Sequence, residues 1–556
     1  MRPVIYQIFT RLYGAKGRSP RPWGGSSVNG CGTLADIDTK ALAHIRDMGF
    51  THLWCTGLIR HATCSHFDEV PDCNPRVVKG LAGSPYAITD YYDIDPDLAV
   101  HSERRRDEYL ALVRRVHRAG LRLVIDFVPN HVSREYHSIC CPAGVTDLGA
   151  DDDKSLSFAP SNNFYYINNE CLHTDHLPVH DYAALAPEWQ EFPARATGND
   201  VFHAWPGAND WYETVKLNYG IDYATGTRHF DPIPDTWLKM TDILLFWAST
   251  GVDAFRCDMA EMVPVEFWHY AIARVKEQYP GVEFIAEVYN PELYRSYIHF
   301  GGFDYLYDKV GLYDCLRDVM CSHRWAGEIT HAWQATDDIR SHMLAFLENH
   351  DEQRIASPQF AADARRGMAG MIAAVAVCRG PVMIYAGQEL GEPALDAEGF
   401  SGLDGRTTIF DYWTVDSLRR TRLGCLNAEE SVLRSFYARL LSACNQSEAL
   451  RDGELYDLMY VNPPSPTFDA QHVYVCLRHS ARELLLIAAN FSDHPQSASV
   501  IIPQEAFNHI GISPTSSSQS FADLLSEYQL STPLSPNIPI NLSLPAFSGV
   551  IMRHER

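Results

Sequence analysis

The stretch GVDAFRCDMAE, Gly251 to Glu261, begins where the apolar run before it breaks at a glycine and a short β-rich strand starts. The same break recurs in IRDMGFTHLWC at Gly49, in VHRAGLRLVIDF at Gly120 and in QYPGVEFIAEV at Gly281. Glycine suits the left-handed residue that ends a helix. Runs such as LRLVIDFV lack polar alternation, as strands buried on both faces do. The preceding segments fit helices: across Ser102 to Ala119, Leu110, Val113 and Val116 share one face. Repeated helix, glycine and strand units predict a parallel sheet, most economically an α/β fold closed as a (β/α)8 TIM barrel. Periodicity alone leaves a doubly wound open sheet as the alternative.

The stretch also places Arg256 and Asp258 two residues apart, on one face of a strand end. A fixed positive charge beside a carboxylate favours its ionised form, which suits a nucleophile; taken alone, the pair reads more readily as a structural ion pair. In a barrel, active sites form where strands end. Three further ends carry polar groups: Asp126, Asn130 and His131 in DFVPNH, Glu287 in FIAEV, and Asn349, His350 and Asp351 in FLENHD. Carboxylates converging on one mouth repel each other unless one keeps its proton, and Glu287, after an apolar strand, is the expected holder. A charged nucleophile beside a protonated acid is the apparatus of retaining glycoside hydrolysis. In that scheme Asp258 attacks the anomeric carbon, Glu287 is acid and then base, and Asp351 binds ring hydroxyls. His131 and His350 would donate hydrogen bonds to the same sugar.

Composition narrows the field. The 556 residues carry a formal net charge of -24 and 46% hydrophobic residues, which points to a folded acidic protein and away from nucleic acid or an anionic membrane as partner. The most apolar run, Gly367 to Tyr385, is interrupted by Arg379, Gly380 and Pro381, so it reads as a buried helix and strand. The opening MRPVIYQIFTRLYG has no signal-peptide pattern, and a cytoplasmic location is the expectation. Fourteen scattered cysteines without a CxxC pair argue against disulfides.

Between Val132 and Val215 the periodicity fails, and an inserted subdomain is expected there. Its triplet Asp151 to Asp153 reads as a solvated loop, with calcium binding as the lesser alternative. WGGSSVNGCG, Trp23 to Gly32, lacks phosphate-loop spacing and reads as a mobile loop. After Asp452, strands such as HVYVCLRH and ELLLIAANFS predict an appended all-β sandwich. The expected division is therefore barrel over 1–131 and 216–451, insertion over 132–215 and β domain over 452–556.

DFVPNH, GVDAFRCD, FIAEV and FLENHD, in this order, resemble the four short regions of the α-amylase superfamily of glycoside hydrolases. GPVMIYAGQE, Gly380 to Glu389, looks like that family's eighth-strand segment, and SPYAITDYYDID like its loop with a sugar-stacking tyrosine, here Tyr86. The resemblance extends to the terminal LPAFSGVIMRHE. It implies the barrel, an insertion after the third strand, a C-terminal sandwich and retaining chemistry on α-glucosidic bonds. Asp258, Glu287 and Asp351 would be nucleophile, acid/base and stabiliser; Tyr86, His131, Arg256 and His350 would hold the substrate, an oligo- or polysaccharide.

Three departures shape the details. Lys216 in TVKLNYG stands where calcium-dependent amylases carry an Asp, which leaves the family's structural calcium open; no cofactor is required and no metal ligand is assigned. Glu261 and Met262 replace the Lys-His that many amylases use on the leaving-group side. Gly83 stands where exo-acting relatives have an Asp that closes the non-reducing end, which favours a cleft for longer chains. Trp205, Trp211, Tyr212 and Tyr219 are core or sugar-platform candidates. The expected activity is hydrolysis of α-1,4-glucans or maltooligosaccharides. A transferase of the same superfamily and a non-catalytic binding barrel are the alternatives.

Overall fold

The computed structural model describes residues 2–400 and 403–556. Eight parallel strands form one sheet: β1 (Val4–Phe9), β2 (His52–Thr56), β3 (Arg122–Phe127), β4 (Ala254–Cys257), β5 (Glu283–Ala286), β6 (Tyr305–Tyr307), β7 (Met343–Leu344) and β8 (Val382–Tyr385). Each pairs with its sequence neighbour, and β8 pairs with β1. A parallel bridge between Ala345 and Val382 joins the last two strands, so the sheet closes into a barrel. This excludes the open doubly wound sheet. One residue from each strand fills the lumen: Ile5, Trp54, Val124, Ala254, Ile285, Tyr307, Leu344 and Met383 form a separate buried cluster.

Helices α1 (Thr39–Asp47), α2 (Arg105–Arg118), α3 (Asp235–Ser249) and α4 (Val265–Gln278) precede strands β2 to β5, as the repeated glycine breaks predict. Gly49, Gly120 and Gly251 adopt φ of 101°, 77° and 97°, a conformation that side chains resist. Gly281 is the exception; α4 has ended at Gln278, and the glycine is not left-handed. Residues 367–385 are a buried helix, α5 (Arg366–Val377), followed by β8. Among the described residues, no helix is long and apolar enough to cross a membrane.

Between β3 and α3 the chain carries only short strands and one 3-10 turn, and one of these strands, Thr214–Lys216, pairs antiparallel with His131–Ser133 at the root of the excursion. Asp152 is not merely solvated there. Its carboxylate accepts from the Asn163 and Phe164 amides and the Tyr166 hydroxyl. Trp23 to Gly32 contains one helical turn, and the Asn29 side chain ties it to the carbonyls of Arg21 and Tyr412.

The C-terminal region is all-antiparallel. Strands β9 (Glu454–Asp457), β10 (Val473–His479), β11 (Glu483–Asn490), β13 (Thr515–Asp523), β14 (Gln529–Leu534) and β16 (Ser548–Glu555) form a six-stranded sheet; β12 (Gln496–Val500) and β15 (Ile540–Leu544) form a second. The two sheets and helix α6 (Gln504–Ile510) enclose their own core. Buried Arg478 donates to the carbonyls of Ala376 and Cys378, at the end of α5, which docks this domain on the barrel. All fourteen cysteines are unpaired.

Candidate active site

The carboxyl ends of the barrel strands surround a cavity of about 400 Å³. Tyr86, His131, Asp258, Glu287, His350 and Asp351 all line it. Arg256 lies beneath them and is fully buried.

Arg256 sits on β4 and Asp258 follows the strand directly. The Nη1 group of Arg256 donates to Asp258 Oδ1 at 2.8 Å, and Nη2 lies 2.8 Å from Glu287 Oε2. One guanidinium therefore hydrogen-bonds Asp258 and stands in ion-pair contact with Glu287, with Asp126 Oδ1 3.6 Å away. The rings of Trp54, Tyr86 and Tyr307 surround it and keep water out. The expectation that Arg256 favours the ionised form of Asp258 holds in sign only, because the guanidinium is shared with Glu287. Arg256 opposes protonation of Asp258, but burial is the larger effect and, with Glu287, Asp351 and Asp126, pushes the Asp258 carboxyl well up.

Glu287 accepts from the Met259 amide at 2.8 Å and from the Tyr289 hydroxyl at 2.6 Å. Met259 reaches it by a left-handed backbone, φ 43°, which turns the chain sharply after Asp258. That conformation is uncommon for a residue with a side chain and marks a site where local strain is tolerated. Glu261 does not face the cavity. Its carboxylate accepts from the amides of Tyr289 and Asn290, so the departure from Lys-His at this position serves to tie down the loop after β5.

The two histidines are held by different means. Gln7 on β1 contacts His350 Nδ1 at 2.7 Å, and the Tyr86 hydroxyl contacts its Nε2. Burial, with the charge of Arg256, keeps this imidazole well below its usual range and hence neutral. His131 is pushed down to about 3 by burial and by the charges of Lys216 and Lys79. Its tautomer follows from its neighbours. The Lys216 ammonium donates to Asn130 Oδ1 at 2.8 Å, which leaves the Asn130 amide nitrogen facing Gly198 O at 2.8 Å and His131 Nδ1 at 3.1 Å. Nδ1 must accept, so Nε2 carries the proton as a donor.

The same lysine decides the calcium question raised by the family resemblance. Its ammonium stands 2.6 Å from Asp200 Oδ1 as well as 2.8 Å from Asn130 Oδ1. A positive charge already occupies the centre of these oxygen donors, so they do not fit a calcium ion.

Several cavity residues carry no signal in the sequence. Lys79 and Glu213 form a buried ion pair at 3.0 Å on one wall, Tyr289 lines another, and Asp404, Arg406 and Phe410 come from the segment after β8. The segments around Lys79 and Phe410 are joined by a hydrogen bond from the Ala82 amide to Phe410 O at 3.0 Å. Tyr289 alone was within reach of sequence reasoning, as it stands two residues after Glu287. Of the four aromatic candidates, Trp211 lines the cavity and packs 5.2 Å from the His131 ring. Tyr219 and Tyr212 are buried outside the lining, and exposed Trp205 stacks on His173 at 3.7 Å.

Gly83 has a backbone explanation. Its φ is 68°, and a Cβ would lie 1.6 Å from the Ala62 carbonyl oxygen. No side chain fits there, so the missing aspartate says nothing about the length of sugar chain that the site admits.

Residues 19–143 and 233–421 match the family described as alpha amylase, catalytic domain. The alpha-amylase MalA of Haloarcula japonica is 23% identical over 499 residues, which cover 88% of this chain and 56% of that protein. An alpha-1,4-glucan:maltose-1-phosphate maltosyltransferase of Rhodospirillum rubrum is 30% identical over 262 residues, 46% of this chain and 29% of that protein. The chain thus spans about half or less of the length of these curated relatives. Among solved structures, the maltogenic alpha-amylase AmyB from Thermotoga neapolitana superposes with a TM-score of 0.62 at 18% identity, covering 100% of this chain and 99% of that one. The family match takes in more than half of the residues, and the barrel it describes is the one observed: the chain belongs to the alpha-amylase family.

Proposed function

We propose that the protein is a retaining glycoside hydrolase that cleaves α-1,4-glucosidic bonds in maltooligosaccharides or starch-like glucans. The observation that carries this reading is the grip of Arg256 on both Asp258 and Glu287 at the floor of one cavity. A single planar guanidinium holds an oxygen of each carboxyl group 2.8 Å from its own nitrogens, which brings nucleophile and acid to the floor of one cavity as the retaining scheme requires. Asp258 attacks the anomeric carbon and forms a glycosyl ester; Glu287 gives a proton to the leaving oxygen and then takes one from water. Asp351 and the donors His131 and His350 hold the ring hydroxyls, and Tyr86 stacks on the sugar. The structural relative GTA from Geobacillus thermoleovorans was solved with acarbose, which supports an oligosaccharide occupant. A cavity of about 400 Å³, walled by the Lys79–Glu213 pair and Phe410, suits a short sugar chain better than a long one. A cytoplasmic location is part of the proposal.

A transferase is the second reading, favoured by the maltosyltransferase relative. It shares the first half-reaction, and a sugar hydroxyl replaces water in the second. Chromatography of products from maltoheptaose and from soluble starch separates the readings, with Asp258→Asn as control. Only shorter sugars from wild type and none from the control support the hydrolase. Products longer than the substrate make it a transferase, and unchanged sugars in every lane reject both.

A further inference from the structure

The C-terminal domain holds a second cluster of chemically active side chains, far in sequence from the barrel mouth. Glu454 opens β9 and His479 closes β10, and the two residues are direct partners in the antiparallel register. Side chains of such a pair stand on the same face of the sheet. Helix α6 crosses above them and contributes His509. The three potential ligand atoms lie within 4.8 Å of one another. His509 Nε2 is 3.8 Å from Glu454 Oε2, and the two imidazoles meet edge to face with centroids 5.9 Å apart.

We propose that Glu454, His479 and His509 bind a divalent transition-metal ion of the zinc class. Two ligands at 2.0–2.1 Å from a tetrahedral ion stand about 3.3 Å apart. The observed 3.8 Å needs only a small adjustment, and Glu454 and His509 are exposed and free to make it. His479 supplies the independent sign. Its Nε2 is buried and has no hydrogen-bond partner among the described residues. A buried nitrogen left unpaired costs free energy that a ligand bond would recover. Two imidazoles and one carboxylate suit zinc, and the nitrogen donors select against calcium and magnesium, which prefer oxygen.

The surroundings agree with a cation. A cavity of about 340 Å³ adjoins the cluster and leaves room for water as a fourth ligand. Glu448 and Asp452 line it with Glu454, against one guanidinium, Arg556. That guanidinium is committed to carbonyls, donating to Ser480 O, Ile510 O and Gly511 O. It thereby fixes the end of α6 over the β9–β10 edge, where a bound ion would pin the helix a second time.

The test is titration of chelator-treated full-length protein with Co²⁺, followed by competition with Zn²⁺. Wild type is expected to bind one equivalent with the intense visible absorption of a low-coordinate ion, which Zn²⁺ abolishes. His509→Ala and Glu454→Gln, both at exposed positions, are expected to lose at least about tenfold in affinity, and His479→Asn to lose the absorption. Asp258→Asn is expected to bind as wild type does, which separates this site from the barrel mouth. Only the weak spectrum of hydrated Co²⁺ in wild type, or an intense band that survives in His509→Ala, overturns the proposal.

Discussion

Two buried cations hold this molecule together in different ways. Arg256 at the barrel mouth faces three carboxyl groups, Asp126, Asp258 and Glu287. Lys216, at the root of the long segment after β3, faces one, Asp200, and the amide oxygen of Asn130. The lysine site is balanced, with one positive and one negative charge joined by short hydrogen bonds. At the arginine site negative charge is in surplus, and Asp126 Oδ1 has no hydrogen-bond partner among the described residues. A balanced pair has no reason to change its protonation or bonding, which suits a structural clasp. A crowded carboxyl cluster exchanges protons readily and gains when positive charge develops nearby, as it does on a sugar ring during glycoside cleavage.

The comparison breaks most sharply at Asp258. Asp258→Asn is expected to lower kcat by about 10⁴-fold or more, since it removes the proposed nucleophile and leaves the fold. Asp200→Asn, at the other cation, is expected to stay within about tenfold. Equal losses in initial-rate assays would show that the two sites do not differ as described. Glu287→Gln comes next, with a loss of about 10²–10⁴-fold on maltooligosaccharides. The loss is expected to be much smaller on an aryl α-glucoside whose leaving group needs no proton; a uniform loss on both substrates would deny Glu287 the acid role.

The burial of these carboxyl groups also predicts a pH signature. Asp126 is pushed from 3.8 up to about 6, chiefly by burial, with Glu287 adding and with Arg256 and the Trp54 hydrogen bond opposing. The folded chain therefore holds this proton more tightly than the unfolded chain. The stability it contributes is complete below pH ~4 and is lost as pH rises through about 6. Over that window wild type is expected to lose about 2–3 kcal/mol that Asp126→Asn does not, read as the difference between urea melts of the two proteins. Parallel curves would remove the raised Asp126 carboxyl from the account.

Lys216→Met carries the smallest expected effect. It leaves Asn130 Oδ1 without its donor and Asp200, itself partly exposed, without its partner, at a cost of about 1–3 kcal/mol. It also frees the Asn130 amide to rotate, so KM is expected to rise as His131 loses its fixed tautomer. A chelator is expected to leave wild-type activity unchanged; a loss of activity restored by calcium would contradict the role given to the ammonium.

Much of this architecture was legible because it is local. The glycines that stop α1, α2 and α3 are conformational requirements of single residues, and unalternating strands follow from burial on both faces. The positions of Asp258 and Glu287 at strand ends follow from the barrel once its units are counted, whereas Asp351 stands on the loop beyond β7. The reading failed where one residue stood for a distant environment. Gly83 suggested an open cleft because an acid was missing, whereas the Ala62 carbonyl simply leaves no space for a Cβ. At Glu261 the difference from Lys-His is real, but only the fold shows its use: the carboxylate anchors the loop that carries Tyr289.

The sequence by itself determined the succession of helices and strands, the set of polar residues at the strand ends and the family to which the chain belongs, since each rests on short motifs and local backbone preference. Tertiary structure alone decided which groups share a charge. Arg256 reaches Glu287 across 31 positions of chain only because β4 and β5 are parallel neighbours in register. Lys216 meets Asn130 because the long excursion returns to pair with the strand it left. Coulomb energy and desolvation depend on distances in space, and those distances exist only after the barrel has closed.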